Sequence, residues 1–233
     1  MPLIPKHKRC LTPFERVHIH PRAKPVELER EVVMLVIIRI HSKGPLEFVW
    51  DKIIQLQEPV KKAFADKCRM LYLTQRQGFH KEASLFVDVS DDSVLGDLLI
   101  SHLAKIKDVD NFVIHHLFKP KFYPLPHDTR EYRRFVINLK VEAQYLTDVY
   151  KNLINPNIPD GMKKVYFAFT FHQSSDSLQY SILSKSEDIL REYVAKEIDS
   201  LPGVVTTTVI PIERSKPFIS YDTWDSLTKS FYR

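Results

Sequence analysis

Glycine is scarce in this chain. Only five occur among 233 residues, at Gly44, Gly78, Gly96, Gly161 and Gly203, and none is close to another. A phosphate-cradling loop needs clustered glycines so that backbone amides can approach the anion, which excludes a P-loop and a G-x-G-x-x-G dinucleotide turn. The two cysteines, Cys10 and Cys68, stand far apart. That excludes a disulfide scaffold and a C-x-x-C zinc or redox motif. Neither H-E-x-x-H nor G-x-S-x-G is present, so the common zinc-hydrolase and serine-hydrolase signatures are absent too. The longest apolar run, Val32–Ile38, is strand-sized and falls short of the roughly 18 residues that a membrane span needs. The opening MPLIPKHKRC is too polar and proline-containing for a signal peptide. The cytoplasm is therefore the expected compartment, with no membrane partner.

Charge is uneven. The chain carries a net +5. Residues 1–24 supply Lys6, Lys8, Arg9, Arg16, Arg22 and Lys24 against Glu15 alone, which accounts for the whole excess. Prolines 2, 5, 13, 21 and 25 interrupt this segment, so residues 1–30 read as a basic arm that could reach the phosphates of a nucleic acid. No three-helix base-reading unit can be built from it.

Beyond the arm, one pattern of elements occurs twice. EVVMLVIIRI (Glu31–Ile40) is apolar on both faces and reads as a buried strand. Gly44-Pro45 opens a helix with Leu46, Val49, Trp50, Ile53 and Leu56 at helical spacing. Two strands, Arg69–Gln75 and Ala83–Val89, follow around a turn at Gly78, and Ser90-Asp-Asp caps a second helix. Phe112–Phe118 closes the unit as a strand. After a linker at 119–132, Arg133–Val141 alternates with Phe135, Ile137, Leu139 and Val141 on one face. A helix, a central hairpin, a capping box at Ser184-Lys-Ser-Glu187, a Pro202-Gly203 stop and a final strand VVTTTVIPI complete the second copy. The order βαββαβ in each copy predicts an α+β fold of two tandem ferredoxin-like repeats, 31–118 and 133–216, packed as a pseudo-dimer of the dimeric α/β-barrel type, with a tail at 217–233.

The stretch Ser184–Lys216, with its capped helix, Leu201-Pro-Gly-Val204, Thr206–Thr208 and trailing Lys216, resembles the second half of an Lrp/AsnC ligand-binding (RAM) domain. That resemblance implies a non-catalytic regulatory module that senses a small effector, such as an amino acid, and assembles as a homo-oligomer or with a partner regulator. The winged helix-turn-helix of the family has no counterpart here. Effector contacts of the family lie near the central hairpin, which points to Gly78 and His80 in one copy and His172, Ser175 and Asp176 in the other. Asp176 would accept an ammonium, and amides near Gly78 would donate to a carboxylate.

No resident cofactor or metal is expected on that reading. An alternative is a haem-binding enzyme, because tandem repeats of this length also resemble the chlorite dismutase architecture. Its histidine candidates are His115, His116 and His172. A second alternative is a nucleic-acid-associated regulator that binds through the basic arm.

Overall fold

The computed structural model describes residues 34–126, 128–154, 158–170 and 177–230. Eight strands carry the fold: β1 (Met34–Ser42), β2 (Cys68–Arg76), β3 (Glu82–Val89), β4 (Val109–Phe122), β5 (Arg133–Val141), β6 (Met162–Thr170), β7 (Leu178–Ser184) and β8 (Val204–Pro217). Among the described residues six α-helices accompany them: α1 (Glu47–Gln55), α2 (Gln57–Phe64), α3 (Asp92–Ser101), α4 (Leu146–Ile154), α5 (Glu187–Tyr193) and α6 (Tyr221–Ser230). All strand pairs are antiparallel, and they close into one barrel in the order β1-β3-β2-β8-β5-β7-β6-β4.

This corrects the expected pseudo-dimer of two ferredoxin-like repeats. The seams are covalent continuations of strands, not faces laid against each other. β8 pairs with β5 from Val204 to Pro211 and then with β2 from Ile212 to Pro217. β4 pairs with β1 and then, from Leu117 to Phe122, with β6. A closed cylinder leaves no strand edge to be covered, which removes the need for sheet-on-sheet packing.

Strand alternation explains why β1 is apolar on both faces. Val36, Ile38 and Ile40 point outward and are buried with Trp50, Ile53 and Leu98 of the covering helices. Leu35 and Ile37 point inward and join Tyr72, Phe86, Phe122 and Tyr166 in the barrel. A second outer layer gathers Ile137, Leu139, Tyr180, Leu190 and Tyr193 beneath α4 and α5.

The Asp91 carboxylate caps α3 by accepting from the Val94 amide at 2.9 Å. For α5 the cap is Ser186, accepting from Ile189 N at 3.2 Å, while the Ser184 hydroxyl donates to the Ser186 carbonyl. The capping box expected at Ser184 and Glu187 is thus not formed: the N-cap lies two residues later, and Ile189 stands where the box would need a Glu or Gln. Helix α5 continues as a wide π-type turn, Val194–Ile198, and Gly203 then takes φ +83° before β8 starts. Among the described residues, no helix is long and apolar enough to cross a membrane.

Candidate functional site

A cleft of about 810 Å³ lies against one side of the barrel. Three pieces of chain distant in sequence build it. One wall is the β2–β3 hairpin at Gln77, Gly78 and His80. Gly78 has φ +84°, which a residue with a Cβ rarely adopts, and the Gln77 amide donates to Pro211 O at 2.8 Å. That bond ties the hairpin to β8. The opposite wall is Leu125, Pro126, Thr129 and Tyr132 together with α6. Trp224 holds α6 in place: its indole N–H donates to Tyr123 O at 3.0 Å, and its ring meets Phe122 edge to face at 4.9 Å. The Tyr221 hydroxyl donates to Leu125 O. The floor comprises Leu71, Tyr72, Arg134, Val165, Leu183 and Ile212.

Beneath that floor one part of the barrel interior is polar, an unusual content for so enclosed a space. A void of about 20 Å³, room for a water molecule, is bordered by Arg39, Tyr72, Thr74, Arg76, Arg134, Asn138, Tyr166 and Gln179. Tyr166 donates its hydroxyl to Gln179 Oε1, and Gln179 Nε2 donates to Asn138 Oδ1 at 3.0 Å. Arg76 pairs with Glu82, and its guanidinium covers the Phe79 ring at 3.9 Å. Tyr72, Arg134 and Ile212 border both the void and the cleft, so they form the throat between them.

The arginines of the cleft differ in their commitments. Arg133 is paired with Glu187 at 2.6 Å. Arg214 donates to Gln75 Oε1 at 2.7 Å and stacks on Trp50 at 4.0 Å. Arg134 donates its Nε–H to the Ser181 hydroxyl at 3.0 Å and lies 4.2 Å over the Tyr72 ring. Among the described residues it has no carboxylate within ion-pairing distance. The buried Tyr72 hydroxyl faces Arg134 and Tyr166 without a hydrogen bond of good geometry. Burial raises the Tyr72 and Tyr166 pKa values well above the ordinary phenol range. Both rings therefore stay protonated and can donate.

Of the residues expected from sequence, Gly78 and His80 line this cleft. His172, Ser175 and Asp176 fall outside the described residues, as do Lys6, Lys8, Arg9, Arg16, Arg22 and Lys24 of the arm. Tyr72, Arg134, Tyr132 and Trp224 were not foreseen. One signal was available: Arg39 interrupts the apolar run of β1, and Arg134 stands in β5 on the face opposite Phe135, Ile137, Leu139 and Val141.

A haem requires an axial ligand presented from inside its pocket. His115 is buried on β4 opposite Ile37, and His116 lies opposite Val36 on the other face. Neither lines the cleft, His172 lies outside the described residues, and His80 sits on an exposed hairpin. Tyr72 is held as a phenol, a poor ligand compared with a phenolate. The described donors do not fit haem. Among the described residues no group of three His, Cys, Asp or Glu side chains is arranged to hold a metal ion.

No family model and no curated protein matches this chain. Its fold, however, has solved counterparts. A candidate monooxygenase from Lactobacillus acidophilus superposes with a TM-score of 0.52 at 9% identity, covering 81% of this chain and 97% of that one. A candidate monooxygenase from Fusobacterium nucleatum gives 0.51 at 12% identity, covering 80% and 95%. A chlorite dismutase from Candidatus Nitrospira defluvii superposes more loosely, at 0.46 and 10% identity over 88% and 98%. At such identities the likeness is one of fold.

The resemblance to an Lrp/AsnC effector domain, and the regulatory role drawn from it, are corrected here. Ser184–Lys216 supplies α5 and the seam strand β8 of a closed barrel whose counterparts are candidate monooxygenases. A capped helix, a glycine stop and a β-branched strand are common to helix-to-strand returns on many sheets. The pattern is therefore local and does not distinguish the two families.

Proposed function

We propose that this protein is an enzyme of the oxidoreductase class that acts on a small organic molecule held in the cleft. The observation that carries the reading is the cleft itself. Its volume of about 810 Å³ lies in the range of small-molecule sites, and its mixed apolar and polar lining narrows onto a few convergent donors. The names of two of the solved counterparts, both candidate monooxygenases, support oxygen transfer as the reaction class. Within that reading Trp224 and α6 shield the substrate from water, the apolar floor holds its body, and Tyr72 and Arg134 orient its polar end. We place the reaction in the cytoplasm, supported by Cys68, a buried free thiol.

Oxygen transfer puts one oxygen atom of O₂ into the substrate and releases the other as water. It consumes two electrons and two protons, which come from the substrate or from an added nicotinamide or reduced flavin. The test is oxygen uptake by the full chain with a panel of phenols, naphthols and aromatic acids, with and without NADPH and reduced flavin, followed by mass spectrometry under ¹⁸O₂. The expected result is uptake with incorporation of one labelled oxygen, reduced at least about tenfold in Tyr72→Phe. Uptake with unlabelled product overturns oxygen transfer, and no uptake across the panel overturns the oxidoreductase assignment.

A further inference from the structure

We infer that the throat of the cleft is a carboxylate-binding subsite, so that the ligand is an amphipathic acid with an apolar body and one anionic head. The inference rests on the cleft being the substrate site, and it adds the chemical class of the substrate.

Three observations converge. First, charge is left over at one point of the cleft. Arg133 and Arg214 are occupied by Glu187, Gln75 and Trp50, whereas Arg134 meets only neutral groups, the Ser181 and Tyr72 hydroxyls and the face of the Tyr72 ring. A guanidinium in a partly buried setting strongly favours a planar anion that can accept from two of its N–H groups. Second, the donors beside it are unused. The Tyr72 hydroxyl is buried without a well-formed hydrogen bond, and so is Nε of Arg76, which borders the same void. A buried donor left unmade is costly, and an acceptor arriving with the ligand relieves that cost. Third, the surfaces leading away from the throat are apolar or aromatic: Leu71, Val165, Leu183, Leu125 and Trp224. An acid head at Arg134 and Tyr72 would lay its hydrocarbon on them. A doubly anionic ligand is disfavoured, because Glu213 also lines the cleft.

The experiment is calorimetric titration of the full chain with 2-naphthoate and with 2-naphthamide, which match in shape and differ in charge. The expected result is that the acid binds at least about tenfold more tightly than the amide, the amount a charge-assisted hydrogen bond provides. Arg134→Gln should bring the acid down to the affinity of the amide and leave the amide unchanged, and Arg134→Lys should restore part of the preference. Tyr72→Phe keeps the ring that packs under Arg134 and removes only the hydroxyl. It should weaken the acid several-fold, and it decides the matter should Arg134→Gln fail to fold. Equal binding of acid and amide to the parent overturns the carboxylate subsite while leaving the cleft as a binding site. An acid preference that survives both Arg134→Gln and Tyr72→Phe overturns it as well. Absence of binding by either ligand overturns the cleft reading itself.

Discussion

At the scale of single residues, two positions carry more strain or desolvation than their neighbours. Gly203 has φ +83°, and a Cβ built there would overlap the side chain of Tyr145. Gly203→Ala should therefore cost about 2 kcal/mol, the left-handed backbone penalty plus a steric part. Thermal melting should show a drop of several degrees. Adding Tyr145→Ala removes the ring but keeps the Tyr145 Cβ, which also overlaps the new methyl, so it should return part of the steric cost and leave the backbone penalty. If the double variant recovers fully, the backbone at this position is not left-handed. Lys164 is the second position. Its ammonium is buried, donates to Leu153 O at 3.3 Å and Ile154 O at 3.2 Å, and lies 4.8 Å from the Tyr123 ring. Burial, and after it the charge of Lys121, lower its pKa from the ordinary lysine range to about 7. From there up to the ordinary lysine value the unfolded chain binds one more proton than the folded one. Stability accordingly rises with pH over that window and is lowest below it. Lys164→Met should remove this dependence, so that the parent gains on the variant as pH rises from about 7. Melting temperatures of the two proteins that run parallel across that range would count against a buried, readily deprotonated Lys164.

At the scale of elements, the decisive features are the two 14-residue strands β4 and β8. Each serves two neighbours, and their second halves close the barrel. Those second halves were not legible in the sequence, for identifiable reasons. In β4, Lys119 takes φ +46° and is followed by Pro120, and the register shifts between Phe118 and Lys121. A positive φ beside a proline reads as a break, although the strand resumes at Lys121. In β8, Glu213-Arg-Ser-Lys216 shows no apolar alternation, because part of this stretch lines the cleft. Most strands and helices were legible from periodicity and capping; which strands meet was not, since pairing between distant segments leaves no local mark. The site divides in the same way. The hairpin at Gly78 and His80 announced itself by its turn, whereas Tyr72, Arg134 and Trp224 converge from three separate segments. Amide exchange tests the seams directly. The amides of Tyr123, Phe218 and Gln77 donate to Val165 O at 3.1 Å, Leu71 O at 2.9 Å and Pro211 O at 2.8 Å. They should exchange as slowly as the amides of β1. Exchange at the rate of open loops would mean that these strand ends are a linker and a tail.

At the scale of the whole molecule, closure makes the barrel one cooperative unit. Two independent repeats would each unfold at their own midpoint, but here every strand has two hydrogen-bonded neighbours, and β4 and β8 run across both seams. Opening one seam removes pairing partners from both halves at once. The tryptophans happen to be well placed to report this. Trp50 on α1 is buried in the helix layer over β1, β2 and β3, and the Arg214 guanidinium from β8 lies 4.0 Å over its ring. Trp224 on α6 packs on Tyr72 and Phe122, beside Tyr166 of the other half. Trp50→Phe leaves Trp224 as sole reporter, and Trp224→Phe leaves Trp50. In urea, the fluorescence midpoint of each variant should coincide with its own far-ultraviolet circular dichroism midpoint, as two-state unfolding requires. Trp224→Phe should lower the common midpoint, because the indole bond to Tyr123 O is lost; it should not separate the two signals. If Trp50 reports a transition distinct from the one seen by circular dichroism, the halves unfold separately. The seams would then contribute little, and a cleft floored by residues of both halves could not hold its shape.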